Sequence, residues 1–320
     1  MSEQASGFDW RGFLQRYGLV MIVVAVCIFF AVMNPIFVRP NNWLNILENA
    51  AIPLLMALGM MVVITSGGID LSVGISLDIA ALVAVVSLIA GVPWLLVLPL
   101  ALLGSAVVGL INSLLIVRIG ISPFLATLGM LFIGQSFQRI YTQGGEPIRF
   151  RNMPEGYKFL GLGEIWGVPF EIFIVSAAAL FYFLFVEKTV HGRRIRAIGL
   201  QSASAKIAGL RVNAYKTLTY IMTAVTCGVA GIILSSSGRI YVPISGNAYL
   251  LDAIGAVFIG TALDRQARPN VIGTIIGVVF IAIIANGLNL MGISFYWKNT
   301  FKGLFILLAL VIGQLNRRRL

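Results

Sequence analysis

Polar and ionisable residues are scarce in this chain, so the few that interrupt its apolar stretches set the chemistry open to it. The densest group is TSGGIDLS at 65–72. Gly67 and Gly68 permit non-helical backbone, and Asp70 is placed to cap a helix beginning at Leu71. Irregular backbone at membrane depth is tolerated only where protein or a water-filled cavity covers it. Two readings stand. Either Thr65, Gly67, Gly68, Asp70 and Ser72 line a route for a polar solute, or they form a tight connection at the membrane surface with an Asp cap. Asp78, two turns further on, is a second carboxylate within an apolar stretch. It is costly there unless it faces a cavity, a partner or a wet interface. Asn112, Asn286 and Asn289, with Thr127, Thr223 and Thr226, add uncharged amides and hydroxyls. Each alone is explained by helix–helix hydrogen bonding; together they suit a neutral hydroxylated solute better than an ion.

The missing motifs narrow the chemistry further. The sequence holds no G-x-x-x-x-G-K-[ST], no G-x-G-x-x-G, no H-E-x-x-H and no G-x-S-x-G. The chain is therefore not expected to bind ATP or any other cofactor itself, nor to make or break a bond in its solute. His191 is the only histidine, and Cys27 and Cys227 both lie in apolar segments. No metal site and no disulfide framework is expected. The intramembrane carboxylates are too few for a proton relay.

The elements that must position these residues follow from composition. Of 320 residues 59% are hydrophobic and 11% charged, and the mean hydropathy is +0.95. No soluble domain hides that much apolar surface, so the chain reads as an all-α, polytopic integral membrane protein lying in the lipid bilayer. A span needs about 20 apolar residues. Candidates lie near 17–36, 48–66, 71–91, 93–117, 122–143, 169–187, 214–237, 251–263, 271–289 and 300–315, about ten helices in all. The eighth is short. The first follows Arg11 and Arg16 without an A-x-A cleavage signal and reads as a retained span.

Ten crossings place both termini on one side, and the charges say which. Arg11, Arg16, Arg118, the seven Lys/Arg of 188–216, Arg265, Arg268 and Arg317–Arg319 then share a side, fifteen of 23 basic residues. The positive-inside rule makes it the cytoplasmic one. Residues 1–16 become a cytoplasmic tail, and 17–320 a single transmembrane domain with a cytoplasmic loop at 188–213. The net charge of +11 is accounted for by these short loops rather than by a nucleic-acid face. Within the loop, Ser202 is placed to cap a short helix and Gly209 to stop it. Such a helix could receive force from a partner, or the loop could be solvated charge that only fixes orientation.

Two weaker patterns complete the reading. IGIS at 119–122 recurs as MGIS at 291–294, each after an asparagine-bearing span, and Asp70 in IDLSVG is echoed by Asp252 in LDAIGA. This suggests an inverted internal repeat, with a solute site at the repeat interface, although strings this short also recur by chance. SAVVG (105–109) and GTIIG (273–277) have the spacing of close helix packing.

Four stretches together carry a family resemblance: ALGMMVVITSGGIDLSVG (57–74), GRRIRAIGLQSASAKIAGLRV (192–212), LDAIGAVFIGTAL (251–263) and GLNLMGIS (287–294). In this order they resemble the ribose-type permeases of bacterial ATP-binding-cassette importers, from about residue 40 onward. The resemblance implies a subunit of the bacterial cytoplasmic membrane that moves a monosaccharide or similar solute. It also implies two cytosolic ATPase subunits carrying ATP and Mg, a periplasmic solute-binding protein, and a second permease copy or paralogue. It places an ATPase-coupling helix at Gly192, Arg193, Arg196, Ala197, Gly199, Ser202, Ala205 and Gly209, and an acidic position at Asp252. Gln201 stands where the family usually has asparagine, and IGTALDRQARPN (259–270) replaces a glycine-rich loop. These departures leave that loop's role open and allow a heterodimer or an unusual solute. One rival is a secondary transporter driven by an ion gradient, with Asp70 and Asp78 as its titrating groups; the other is a membrane-embedded enzyme, against which the missing catalytic clusters argue.

Overall fold

Long apolar runs satisfy their backbone polar groups without water by coiling into helices, and the nine expected spans that fall within the described residues do so. The computed structural model describes residues 10–262, 264, 266–294, 296–297, 300–301, 303–304 and 307. In chain order α1 (Trp10–Met33) passes through a 3-10 turn (Pro35–Val38) into α2 (Pro40–Thr65), α3 (Val73–Ile89), α4 (Trp94–Ser113) and α5 (Pro123–Tyr141). A long connection carries β1 (Ile148–Arg149), α6 (Glu155–Leu162), β2 (Glu164–Ile165) and β3 (Val168–Pro169) before α7 (Phe170–Tyr182). Then come α8 (Val190–Leu200), α9 (Ser202–Ile207), α10 (Val212–Gly238), β4 (Ile240–Tyr241), α11 (Asn247–Thr261) and α12 (Val271–Leu290). Helices α4 and α7 run on into wider π-helical turns at Leu114–Ile119 and Phe183–Lys188.

Five of these helices are long and apolar enough to cross a membrane, and three more apolar helices are shorter. The protein is thus an all-helical multi-pass membrane protein. The expected tenth span, 300–315, lies largely outside the described residues, as do Arg265 and Arg317–Arg319.

Helix α10 is the axis of the bundle, packed against α2, α3 and α4. Lipid offers little hydrophobic drive for helices to associate, so close backbone approach carries the packing. Both small-residue patterns do this. A Cβ added at Gly228 of α10 would meet Ser105 Oγ at 2.3 Å, and one at Gly109 would meet the Tyr220 carbonyl at 2.6 Å. On the other side of the molecule, a Cβ at Gly277 would lie 2.2 Å from the Ala256 carbonyl, joining α12 to α11. Hydroxyls add bonds between helices, as expected of the threonines: Thr223 donates to the Gly59 carbonyl at 2.8 Å and Thr226 pairs with the Tyr182 hydroxyl at 2.6 Å.

The shortness of α11 has a structural cause. After Gly238 the chain pairs β4 with β1, Ile148 opposite Tyr241 and Arg149 opposite Ile240, and then descends beside α3. There Gly246 and Gly74 meet backbone to backbone, a Cβ at Gly246 lying 2.3 Å from the Gly74 carbonyl. The descending segment covers depth that the helix would otherwise span. The IGIS and MGIS strings share a local turn, with Gly120 (φ +85°) and Gly292 (φ +71°) both left-handed. Their upstream acids do not correspond: Asp70 sits in an interhelical junction, Asp252 within α11.

Candidate functional site

The first halves of α2 and α11 and the second half of α12 enclose a cavity of about 360 Å³, near the lower end of small-molecule pockets, which run about 300–1,000 Å³. Its polar lining is Asn49, Asn286, Asn289, Tyr249 and Asp252, set among apolar residues of α12. Pro53 is within α2 and also lines the cavity. Having no N–H, it cannot give the Asn49 carbonyl its helical donor. Asn286 is fixed by a reciprocal amide pair with Asn42 of α2, 3.0 Å each way. Asn42 also donates to the Phe37 carbonyl at 3.1 Å. Asn34 donates to the Leu290 carbonyl at 2.9 Å, so asparagines tie the start of α2 and its lead-in turn to the end of α12.

Thr65, Gly67, Gly68, Asp70, Ser72 and Asn112 are elsewhere. None of them lines that cavity, and Thr65, Asp70, Ser72 and Asn112 are buried in a node at the other end of α2. The helix after the break starts at Val73, not at Leu71, because Asp70 closes a turn instead of capping. Its Oδ1 accepts the Ser72 N–H at 2.8 Å and the Ser72 hydroxyl at 2.7 Å. Asn112 of α4 donates to the Ser72 hydroxyl at 2.7 Å, and Ser66 pairs with Thr219 of α10 at 3.3 Å. Of the sequence-derived route residues, then, Asp252, Asn286 and Asn289 come together around space, and the others come together around one another.

A second buried carboxylate faces a partner. Asp78 Oδ1 accepts the Ser245 hydroxyl at 2.8 Å and the Gly246 N–H at 2.9 Å. Gln138 of α5 accepts the Tyr241 hydroxyl at 2.9 Å and the Ile244 N–H at 2.7 Å. Together they pin the descending segment 240–246, from which α11 carries Tyr249 and Asp252 to the cavity. Sequence reasoning passed over Gln138; a lone buried amide in an apolar helix was the available signal.

The segment of α8 and α9 has two faces. Gly192, Ile195 and Ile198 are buried, whereas Arg193, Arg194, Ala197 and Leu200 are exposed. Thr189 caps α8 by accepting the Gly192 N–H at 3.3 Å, and Arg196 pairs with Glu187. His191 stacks on Phe185 and bonds the Tyr215 hydroxyl at 3.2 Å, a structural role. Helix α9 does start at Ser202, but Gln201 is its cap residue. The Ser202 hydroxyl instead donates back to the Ile198 carbonyl at 2.9 Å. Gly209 ends it with φ +82°, its N–H on the Lys206 carbonyl at 3.0 Å. Ala205 is buried beneath, and Ile207 is 89% exposed. Basic residues and exposed aliphatics on one surface suit a protein partner better than open solvent.

At the opposite end of the molecule the β1–β4 pairing gathers Arg149, Arg151 and Arg239 around one exposed depression. Arg239 holds a left-handed φ of +51° at the end of α10.

Residues 42–310 match the family described as branched-chain amino acid transport system / permease component. The chain is 35% identical to the ribose import permease protein RbsC of Bacillus subtilis over 303 residues, covering 95% of this chain and 94% of that one. RbsC of Escherichia coli K12 is 31% identical, with 94% of each chain covered. The galactose/methyl galactoside import permease protein MglC of the same strain is 30% identical, with 95% and 94% covered. No solved structure matches the chain. A multi-pass helical bundle, a polar cavity within it and a match over most of its length agree: the chain belongs to this family of transport-system permease components.

Proposed function

We propose that this chain is the membrane-spanning subunit of an ATP-driven, binding-protein-dependent importer of a monosaccharide or similar polyhydroxylated solute. It would lie in a bacterial cytoplasmic membrane with both termini and residues 188–213 inside. Cytosolic ATPase subunits, which carry ATP and Mg, would dock on the exposed faces of α8 and α9. A periplasmic binding protein would deliver solute at the end that carries β1 and β4, and a second permease copy or paralogue would complete the assembly. Closure of the ATPases would move α8, and the helices would rock to open the cavity alternately to each side. This chain changes no bond in the solute.

The cavity lining is the observation that carries the reading. Among the described residues its polar lining is three amides, a phenol and one carboxylate, with no Lys or Arg. An amino acid would bring a carboxylate with no cation to meet it; a sugar's hydroxyls both donate to and accept from amides and a carboxylate. The names of the relatives, which are ribose and galactose permeases, point the same way.

Vesicles containing the chain, its ATPase and internal ATP should accumulate labelled pentose or hexose only when binding protein is present. Uptake driven by a sodium or proton gradient without ATP would overturn this reading in favour of a secondary transporter.

A further inference from the structure

The residues of the TSGGIDLS motif do not line the cavity, and the motif's place beside α8 gives it another use. We propose that the contact between Gly199 of α8 and Gly67 is where movement of α8 enters the transmembrane bundle. Gly67, Asp70, Ser72 and Asn112 then act as positioning residues that touch no solute. This rests on the proposed importer and names how its coupling segment reaches the cavity.

Backbone meets backbone at the contact. A Cβ added to Gly199 would lie 2.0 Å from the Thr65 carbonyl oxygen and 3.1 Å from the Gly67 nitrogen. Gly67 has φ +83°, and a Cβ there would lie 3.3 Å from the Gly199 carbonyl. No rotatable side chain stands between the two elements to absorb a displacement, and close-packed interiors transmit strain.

What receives the push is braced on several sides. Ser66 is joined to α10 through Thr219, and Ser72 to α4 through Asn112. The Ile69 carbonyl accepts from Thr127 of α5 at 3.4 Å. A Cβ on Gly68 would sit 2.5 Å from the Tyr220 hydroxyl. Buried polar networks of this kind fix one arrangement of the groups around them. From Thr65, α2 runs unbroken to Pro53 on the cavity wall, about 18 Å at 1.5 Å per residue. Pro53 is the site where such a helix bends, so a shift at the Gly67 end moves the α2 wall that carries Asn49 relative to α11 and α12.

A transmitting element also needs a second arrangement within reach. Asp70 Oδ2, Asn112 Oδ1 and the Tyr220 hydroxyl are buried without a hydrogen-bond partner among the described residues. A small rotation that lets Tyr220 donate to Asp70 would supply that arrangement.

The test uses the full complex of permease, ATPase and binding protein in vesicles, reading solute uptake, ATP hydrolysis and ATPase retention together. Gly199→Ala and Asp70→Asn should each keep the ATPase bound and hydrolysing, and should leave the apparent affinity for loaded binding protein unchanged. Uptake per ATP should fall about tenfold, within the usual span of coupling effects. A changed affinity or sugar preference with uptake per ATP intact would overturn the proposal and return the motif to the solute route. Should Gly199→Ala fail to insert, accessibility decides in its place. Ser72→Cys should stay unreactive toward a membrane-impermeant maleimide from either side, with and without ATP, while Asn289→Cys reacts. Labelling of position 72 that solute blocks would overturn the proposal. Failure of the unmodified complex to take up any sugar would instead sink the importer reading itself.

Discussion

The cavity between α2, α11 and α12 and the node at the α2–α3 break are built from the same kinds of residue, one carboxylate with asparagines and hydroxyls. They differ in what those groups face. In the node Asp70, Ser72 and Asn112 bond one another and are fully sealed; in the cavity Asp252, Asn286 and Asn289 border open volume. A polar group inside a membrane protein therefore does not by itself mark a solute route. Enclosed polar groups fix geometry, and those that border open volume are the ones a ligand could reach.

Adding a valine side chain to each region should separate them most sharply. Gly68→Val puts methyls against the Tyr220 hydroxyl, where overpacking typically costs about 1–3 kcal/mol, so the yield of folded protein from membranes should fall steeply. Ala285→Val adds volume at the cavity wall, and its yield and thermal stability should match wild type while sugar uptake drops. Equal stability of the two variants would erase the distinction between a packed node and an open cavity.

This contrast was only half legible in the sequence. Helices stand at nine of the expected spans, announced by their apolar runs, and SAVVG and GTIIG marked two helix contacts. Gly209 stood where α9 stops because a left-handed residue was needed there. The direction each polar group faces was not legible, since it depends on partners far along the chain. Asp78 is held by residues 167 and 168 positions away, and Asn42 and Asn286 are separated by 244. Neither spacing leaves a local pattern. Asp70 was misread as a helix cap for the opposite reason: its partner is only two residues on, and turn and cap share the same local signature.

The asparagine pair sharpens the comparison at a smaller scale, because it is a closed contact beside the open cavity. Asn42→Ala or Asn286→Ala leaves the other amide without its partner, at a cost of about 1–3 kcal/mol when buried. The double variant should cost little more than Asn42→Ala alone, which already removes the shared pair together with the bond to the Phe37 carbonyl. Thermal unfolding of the detergent-solubilised protein measures this. Additive losses would mean that the two amides act independently and that the clasp does not hold α2 to α12.

The smallest expected effect tests the outer rim, where polar groups face solvent and neither node nor cavity logic applies. Arg149, Arg151 and Arg239 surround a depression without an ion-pair partner among the described residues. Close by, the exposed Glu155 carboxyl is held below its ordinary value, first by its hydrogen bond from Lys158 and by that residue's charge, and more weakly by the charge of Arg239. Exposed charges of this sort steer an encounter more than they tighten a complex, and salt screens them over about 10 Å at 0.1 M. Replacing the three arginines by alanine should thus leave insertion, ATPase retention and the maximal uptake rate unchanged. Association of the binding protein should slow several-fold at low salt, and the difference should shrink as salt is added. Glu155→Gln should act in the opposite sense, speeding association with an acidic partner by removing a neighbouring negative charge felt by Arg239. If neither change alters the salt dependence of association, the binding protein docks on some other part of this end.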